Sequence, residues 1–377
     1  IEAAVAYFLA TDKTTLLDIA RKNADLICSV FGNEEGQING YPGHQEIEIA
    51  LIKLYRVTGE KRYLSTSYYF IKQRGKQPNY FLNEIKKRGG YEYFPELGNY
   101  DLKYSQAHIP TIEQTTAEGH AVRAMYMYSA MADLAIEYKD EKMLEACKTL
   151  WSNITKYRMY ITGSIGSSGF LERFTTDFDL PNDINYSETC ASIGLMMFGQ
   201  RMAAATKSSH YYDTVERALY NTVLASIGIT GDRYFYVNPL EVVPQYCTES
   251  THMKHVKPVR QRWFSVACCP PNVSRTLASL GQYIYAKDKD ALYINLFISS
   301  SAKAQFEESE MFISLDSTLM QEGRIRIKAN CPVILNKSIM VRIPDYAGDI
   351  SAKKDGQHIE ICKTNGYACF SGICNGT

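Results

Sequence analysis

The chain is poor in tryptophan, with 2 in 377 residues, and has no excess of either charge, since Lys+Arg and Asp+Glu both total 41. Without a basic field there is no counterion release to gain from a polyphosphate, which excludes nucleic acid as an expected partner. No apolar run approaches the ~20 residues that span a bilayer, and no charged-then-apolar signal segment opens the chain, so no membrane partner is expected either. Ten cysteines are too few for a disulfide scaffold in a chain of this length. The adjacent pair Cys268 and Cys269 could join only as a strained ring, so thiols or metal ligands fit better. Against these absences stand 45% hydrophobic content, ample for a buried core, and 28 tyrosines, which suit a pocket that stacks on and hydrogen-bonds a neutral polyol.

From Ile1 to about Ile227 one unit recurs: an apolar helix, a short polar turn and a second apolar helix. VAYFLATDKTTLLDIARKNADLI, IALIKLYRVTGEKRYLSTSYYFI, MADLAIEYKDEKMLEACKTLW and FGQRMAAATKSSHYYDTVERALYNTVL each set a turn between helical faces spaced i, i+3, i+4, i+7. Stacked hairpins extend as a solenoid or close into a ring, and the long Gly-rich, motif-bearing loops between them favour a ring around a pocket. The expected fold is mainly α with β: an (α/α) toroid of six-hairpin type, its N-terminal part missing because Ile1 opens inside an amphipathic helix. This catalytic domain is expected over residues 1–290.

After the helix NVSRTLASLGQYIYA the period changes to two. ALYINLFIS, AKAQF, MFISLD, RIRIKAN, SIMVRIPDYA and ACFSGI alternate as half-buried strands, so an incomplete β-sandwich is expected over residues 291–377, cut before its closing strands. Its cysteines Cys331, Cys362, Cys369 and Cys374 are expected as packed thiols.

The strongest local signal is CCPPN at 268–272, where two prolines stiffen a backbone that aims two sulfurs. Upstream, YSETCASIG sets Glu188 and Cys190 two residues apart, able to converge on one ion from a turn or helix start. One carboxylate and three thiolates suit tetrahedral Zn²⁺ better than the oxygen-seeking Ca²⁺ or Mg²⁺. The same set also serves a closed zinc site that merely ties hairpins together, and both readings stay open at this point. A thiolate that displaces an oxygen leaving group needs a carboxylic acid to protonate that oxygen. Glu172 in the loop TGSIGSSGFLERF is the candidate, its plainer alternative being a solvated carboxylate paired with Arg173.

Together ETCASIG, CCPPN, GYPGH, EQTTAEGHAVRA and YFYVNPLE resemble glycoside hydrolase family 127, the β-L-arabinofuranosidase group, through nearly the whole chain. The resemblance implies zinc held by Glu188, Cys190, Cys268 and Cys269, with Cys268 as nucleophile and Glu172 as acid/base, although Leu171 stands where the family usually has glycine. It further implies sugar contacts from His44, His120, Glu216 and Tyr236, all able to hydrogen-bond hydroxyls. Without it, His44 or His120 would read as a capping or core residue and Glu216 as a helix-face charge.

The implied activity is retaining release of β-linked L-arabinofuranose from a plant-derived glycan, an oligosaccharide being the expected partner and a homodimer through the β-domains the expected assembly. Two rivals remain: a hydrolase of another pentofuranose or a branched acidic pectic sugar, and a non-catalytic carbohydrate-binding protein with structural zinc.

Overall fold

The computed structural model describes residues 1–90, 101–307, 309–333 and 336–371, so Cys374 lies outside the described residues. By contact the chain forms two compact units, one of Ile1–Arg201 with Ala218–Cys269 and another of Met202–Arg217 with Pro270–Thr377.

Three of the hairpins read from the 3.6-residue period pair as expected, Glu2–Thr11 with Thr15–Val30, Ile47–Thr58 with Lys61–Gln73, and Ala121–Tyr138 with Glu141–Asn153, and the fourth segment forms the helices Thr189–Thr206 and Tyr211–Ala218. Three first helices end on a left-handed residue, Asp12 (φ 56°), Gly59 (φ 73°) and Lys139 (φ 52°), which returns the chain and satisfies a late carbonyl. Asp140 then starts the next helix by accepting the Met143 amide.

In the first unit, Val5, Leu17, Leu51, Leu54, Tyr63 and Phe70 pack the first two hairpins into one core cluster. The helix Ala121–Tyr138 is buried along most of its length on every face, which places it inside rather than on the rim. It meets Thr189–Thr206 closely: a Cβ at Gly194 would stand 2.6 Å from Met125 Cβ. The same two helices are bolted by a buried charge, because Asp133 accepts from Arg201 at 2.6 Å and from Arg56 at 3.0 Å.

In the second unit helix gives way to strand at Tyr285, ahead of the expected Ala291, because the three-residue strand β1 (Tyr285–Lys287) is too short to show alternation. The alternating segments become β2 (Ala291–Ile294), β3 (Ser300–Gln305), β4 (Glu310–Thr318), β5 (Arg324–Asn330) and β6 (Ser338–Arg342). The hairpins β7 (Ala352–Lys354) to β8 (Gln357–Ile359) and β9 (Cys362–Thr364) to β10 (Tyr367–Phe370) follow. They form sheets ordered β1-β2-β6-β10-β9, β3-β4-β5 and β7-β8. Arg342 on β6 is fully enclosed and explains why the segment 202–217 belongs to this unit: its guanidinium meets Asp213 at 2.6 Å and Glu216 at 2.7 Å.

Candidate active site

The site grows from two helix starts. Cys190 lies in the first turn of Thr189–Thr206, and Cys269 opens the helix Cys269–Ala278, whose Pro270 and Pro271 fit a first turn that needs no amide donors. Both ends present the positive pole of a helix, which favours thiolate over thiol. Ahead of Cys190 the backbone bridges Glu188 to Val237, with the Thr189 amide donating to Tyr236 O at 2.9 Å. That bridge draws Tyr236 alongside Glu188.

Glu188, Cys190, Cys268 and Cys269 converge, their ligand atoms all within 4.8 Å of one another, a cluster able to hold a metal ion. Sulfur–sulfur separations are 3.4 Å for Cys190 to Cys269 and 3.9 Å for Cys268 to Cys269. Glu188 Oε1 stands 3.5 Å from Cys268 and 3.8 Å from Cys269. Cys190, Cys269 and Glu188 are buried, while Cys268 is exposed. Four acidic groups this close cannot all ionise without a cation. Contacts from Cys190 and Cys269 hold the Cys268 thiol far below its usual range, and the same contacts push Cys190 and Cys269 up. Burial, then the charges of Glu172 and Cys268, raise Glu188, whose Oε2 has no hydrogen-bond partner. A buried carboxylate with one oxygen facing two of the sulfurs and the other left without a partner is an observation that a bound cation would resolve.

Glu172 is carried in by a tight loop closed by reciprocal Ser168 and Arg173 backbone bonds of 3.1 Å. Inside it Leu171 and Glu172 both take left-handed φ, 58° and 52°, at roughly 1–3 kcal/mol each. Glycine would adopt the Leu171 conformation without that cost, which is the physical content of the Leu171 departure noted in the sequence. The carboxylate accepts from His120 Nε2 at 2.7 Å and from the Tyr186 hydroxyl at 2.9 Å. Burial raises its pKa, but the hydrogen bond and charge of His120, with the bond from Tyr186, outweigh burial and hold it below the usual carboxylate range.

His120 caps the helix Ala121–Tyr138, its Nδ1 accepting the Arg123 amide at 3.4 Å, which leaves Nε2 to carry the proton given to Glu172. His44 lies in ring contact with His120 at 6.0 Å and with Tyr126 at 5.9 Å. Burial of its ring, with Arg123 and His120 beside it, lowers the His44 pKa to about 4. The Tyr236 hydroxyl is 3.4 Å from Cys268 Sγ.

His44, His120, Glu172 and Tyr236 are thus linked, contact by contact, to the Glu188–Cys190–Cys268–Cys269 cluster. Glu216 is placed otherwise: it belongs to the second unit, where the Arg342 guanidinium engages its carboxylate. Sequence reasoning missed Tyr186, which is turned onto Glu172 ahead of a left-handed Ser187 (φ 45°) that no periodic signal marks.

The family model for the β-L-arabinofuranosidase GH127 catalytic domain matches residues 1–282. This chain belongs to glycoside hydrolase family 127. A GH127 β-L-arabinofuranosidase of known structure from Geobacillus stearothermophilus T6 is 48% identical and superposes with a TM-score of 0.94, over 99% of this chain and 59% of that one. A second GH127 β-arabinofuranosidase structure is 35% identical with a TM-score of 0.82, over 98% of this chain and 56% of that one. A non-reducing end β-L-arabinofuranosidase of Bifidobacterium longum subsp. longum is 39% identical over 352 residues, 92% of this chain. The chain spans 53% of that relative's length. Its GH127 fold is the (α/α) toroid followed by a β-sheet region.

Proposed function

We propose that this chain carries the catalytic centre of a zinc-dependent retaining glycoside hydrolase that releases β-linked L-arabinofuranose from plant-derived glycans. One observation supports the reading: the ligand atoms of three sulfurs and a carboxylate gather within 4.8 Å of one another, and one of the sulfurs, that of Cys268, is exposed. Around a tetrahedral zinc with Zn–S about 2.3 Å and Zn–O about 2.0 Å, sulfur–sulfur edges measure about 3.8 Å and sulfur–oxygen edges about 3.5 Å. The observed edges of 3.4 and 3.9 Å between sulfurs and 3.5 and 3.8 Å from sulfur to oxygen match that size. Glu188, Cys190, Cys268 and Cys269 would hold the ion, which when bound keeps the sulfurs ionised at neutral pH.

In this reading His44, His120 and Tyr236 hydrogen-bond the hydroxyls of the bound furanose, and Glu216 remains a proposed contact only through the family resemblance. Glu172, carrying a proton, gives it to the glycosidic oxygen as the C–O bond breaks. Cys268 attacks the anomeric carbon and forms a thioglycosyl intermediate. Glu172, now a carboxylate oriented by His120 and Tyr186, takes a proton from water, which displaces Cys268 and restores the starting anomeric configuration. The Bifidobacterium and Geobacillus relatives, named as β-L-arabinofuranosidases, support the choice of sugar. A homodimer through the β-region is part of the same proposal, read out by solution mass.

The test is hydrolysis of p-nitrophenyl β-L-arabinofuranoside by the full-length protein, with metal analysis, in the wild type, Glu172→Gln and Cys268→Ser. Turnover with zinc present, lost in both variants, is expected. Zinc without turnover on this or related furanosides overturns the assignment in favour of a structural site.

A further inference from the structure

We propose that Cys362 and Cys369 are a modification site: a cross-strand thiol pair that reacts with small-molecule disulfides and closes into an intramolecular disulfide. The pair is set by a two-residue turn. Asn365 and Gly366 both have positive φ, 49° and 80°, the conformation of a type I′ hairpin, and β9 and β10 leave it with Thr364 opposite Tyr367 and Cys362 opposite Cys369. Alternation from the turn makes Thr364 and Tyr367 a hydrogen-bonded pair, Lys363 and Ala368 a wide one, and Cys362 and Cys369 hydrogen-bonded again. Residues opposite each other at such a position have Cα atoms about 5.5 Å apart. Disulfides span Cα separations of about 4.4–6.8 Å, a range that includes this pair, and closing the bond draws the two Cβ atoms together from about 5 Å to about 4 Å at the outermost strand.

Directly opposed residues also share a face of the sheet. Cys369 stands opposite Met340 on its other side and packs, half-buried, against the cluster of Ala291, Met340 and Tyr367. Cys362 is exposed, on the outermost strand of the five-stranded sheet, and both thiols are free. One thiol can therefore be reached from solvent while its neighbour waits, sheltered, on the adjoining strand. Cys362 was expected from sequence as a packed thiol, and its exposure is what gives the pair chemistry.

The exchange balances in two steps. The Cys362 thiolate attacks one sulfur of a small disulfide, that S–S bond breaks, and one small thiolate leaves. The Cys369 thiolate then attacks Cys362 Sγ and expels the second small thiolate. The two cysteines give up two protons and two electrons, and the oxidant leaves as two thiols. Closure fastens β9, a strand whose residues are all exposed, to β10.

The probe is glutathione disulfide applied to the native full-length protein, read by non-reducing peptide mass mapping. Cleavage after Lys363 parts the two cysteines, so closure appears as two joined peptides lighter by two hydrogens. The joined species is expected in the wild type and in Cys374→Ser, and Cys369→Ser is expected to stop at a glutathione adduct on Cys362. Two thiols that stay free under excess oxidant, two separate glutathione adducts, or a link from Cys362 to Cys374 would each overturn the proposal.

Discussion

His120 Nε2 donates to Glu172 Oε2 across 2.7 Å while its Nδ1 accepts the Arg123 amide, so one imidazole both begins a helix and orients a carboxylate. Protonation at Nδ1 would cost the cap its acceptor. The cap thus turns Nε2 to the side of Glu172.

The first prediction concerns the other donor, Tyr186. To act as an acid Glu172 must carry a proton, so the fall of kcat/KM with rising pH reports its ionisation. His120 and Tyr186 hold that ionisation low. Tyr186→Phe removes one donor, destabilises the carboxylate and moves the alkaline limb to higher pH, with a reduced maximum rate. A full pH–rate profile checks this, and an unmoved limb would falsify the role given to Tyr186.

Removal of the metal should cost stability as well as activity, because an ion that binds only the folded state adds about 4 kcal/mol when present at 1,000 times its Kd. Chelation is expected to lower the melting temperature and abolish turnover, both restored by Zn²⁺. Cys190→Ser, at a buried ligand in the first turn of its helix, should mimic chelation and resist rescue. Equal zinc content in Cys190→Ser and wild type, by elemental analysis, would remove Cys190 from the ligand set.

Asp133 lies between Arg201 and Arg56, and although burial pushes its carboxyl up, the two guanidiniums hold it below the ordinary range. Its folded pKa is depressed, so the stability it gives is present above the unfolded value of about 3.9 and is lost as the pH falls through the folded one. Asp133→Asn leaves Arg201 buried without its counter-charge and should cost about 3–5 kcal/mol in urea unfolding at neutral pH. A loss below about 1 kcal/mol would show that the pair is dispensable.

The lowered pKa of His44, about 4 against an ordinary 6.5, works in the opposite sense to an ion-paired histidine. The unfolded chain binds this proton first, so stability rises with pH between about 4 and 6.5 and is flat above. His44→Gln should flatten that part of the melting-temperature profile while weakening sugar binding. An unchanged slope between pH 4 and 6.5 would assign the acid sensitivity elsewhere.

The helical hairpins were legible because burial of one helix face imposes a 3.6-residue repeat on local sequence, and the turns at Asp12, Gly59 and Lys139 fall where that repeat breaks. The gathering of Glu188, Cys190, Cys268 and Cys269 was legible because CCPPN and ETC each fix two donors locally, so only their meeting had to come from the fold. Glu172 was a candidate from its Gly-rich loop, with the family resemblance added to that, whereas its two partners depend on a left-handed loop that nothing in Leu171 announces. The partner of Glu216 was illegible for a related reason. Arg342 lies far along the chain on β6, and no periodic signal couples a helix charge to a buried arginine on a strand.

The exposure of Cys268 beside the sealed sulfurs of Cys190 and Cys269 has a pharmacological face. An alkylating agent reaching the centre meets one sulfur, the same one that the proposed reaction caps with sugar and frees again in each cycle. A cap that water cannot displace would hold the cycle at that point with one reagent per chain, so washing out the reagent would not bring the centre back.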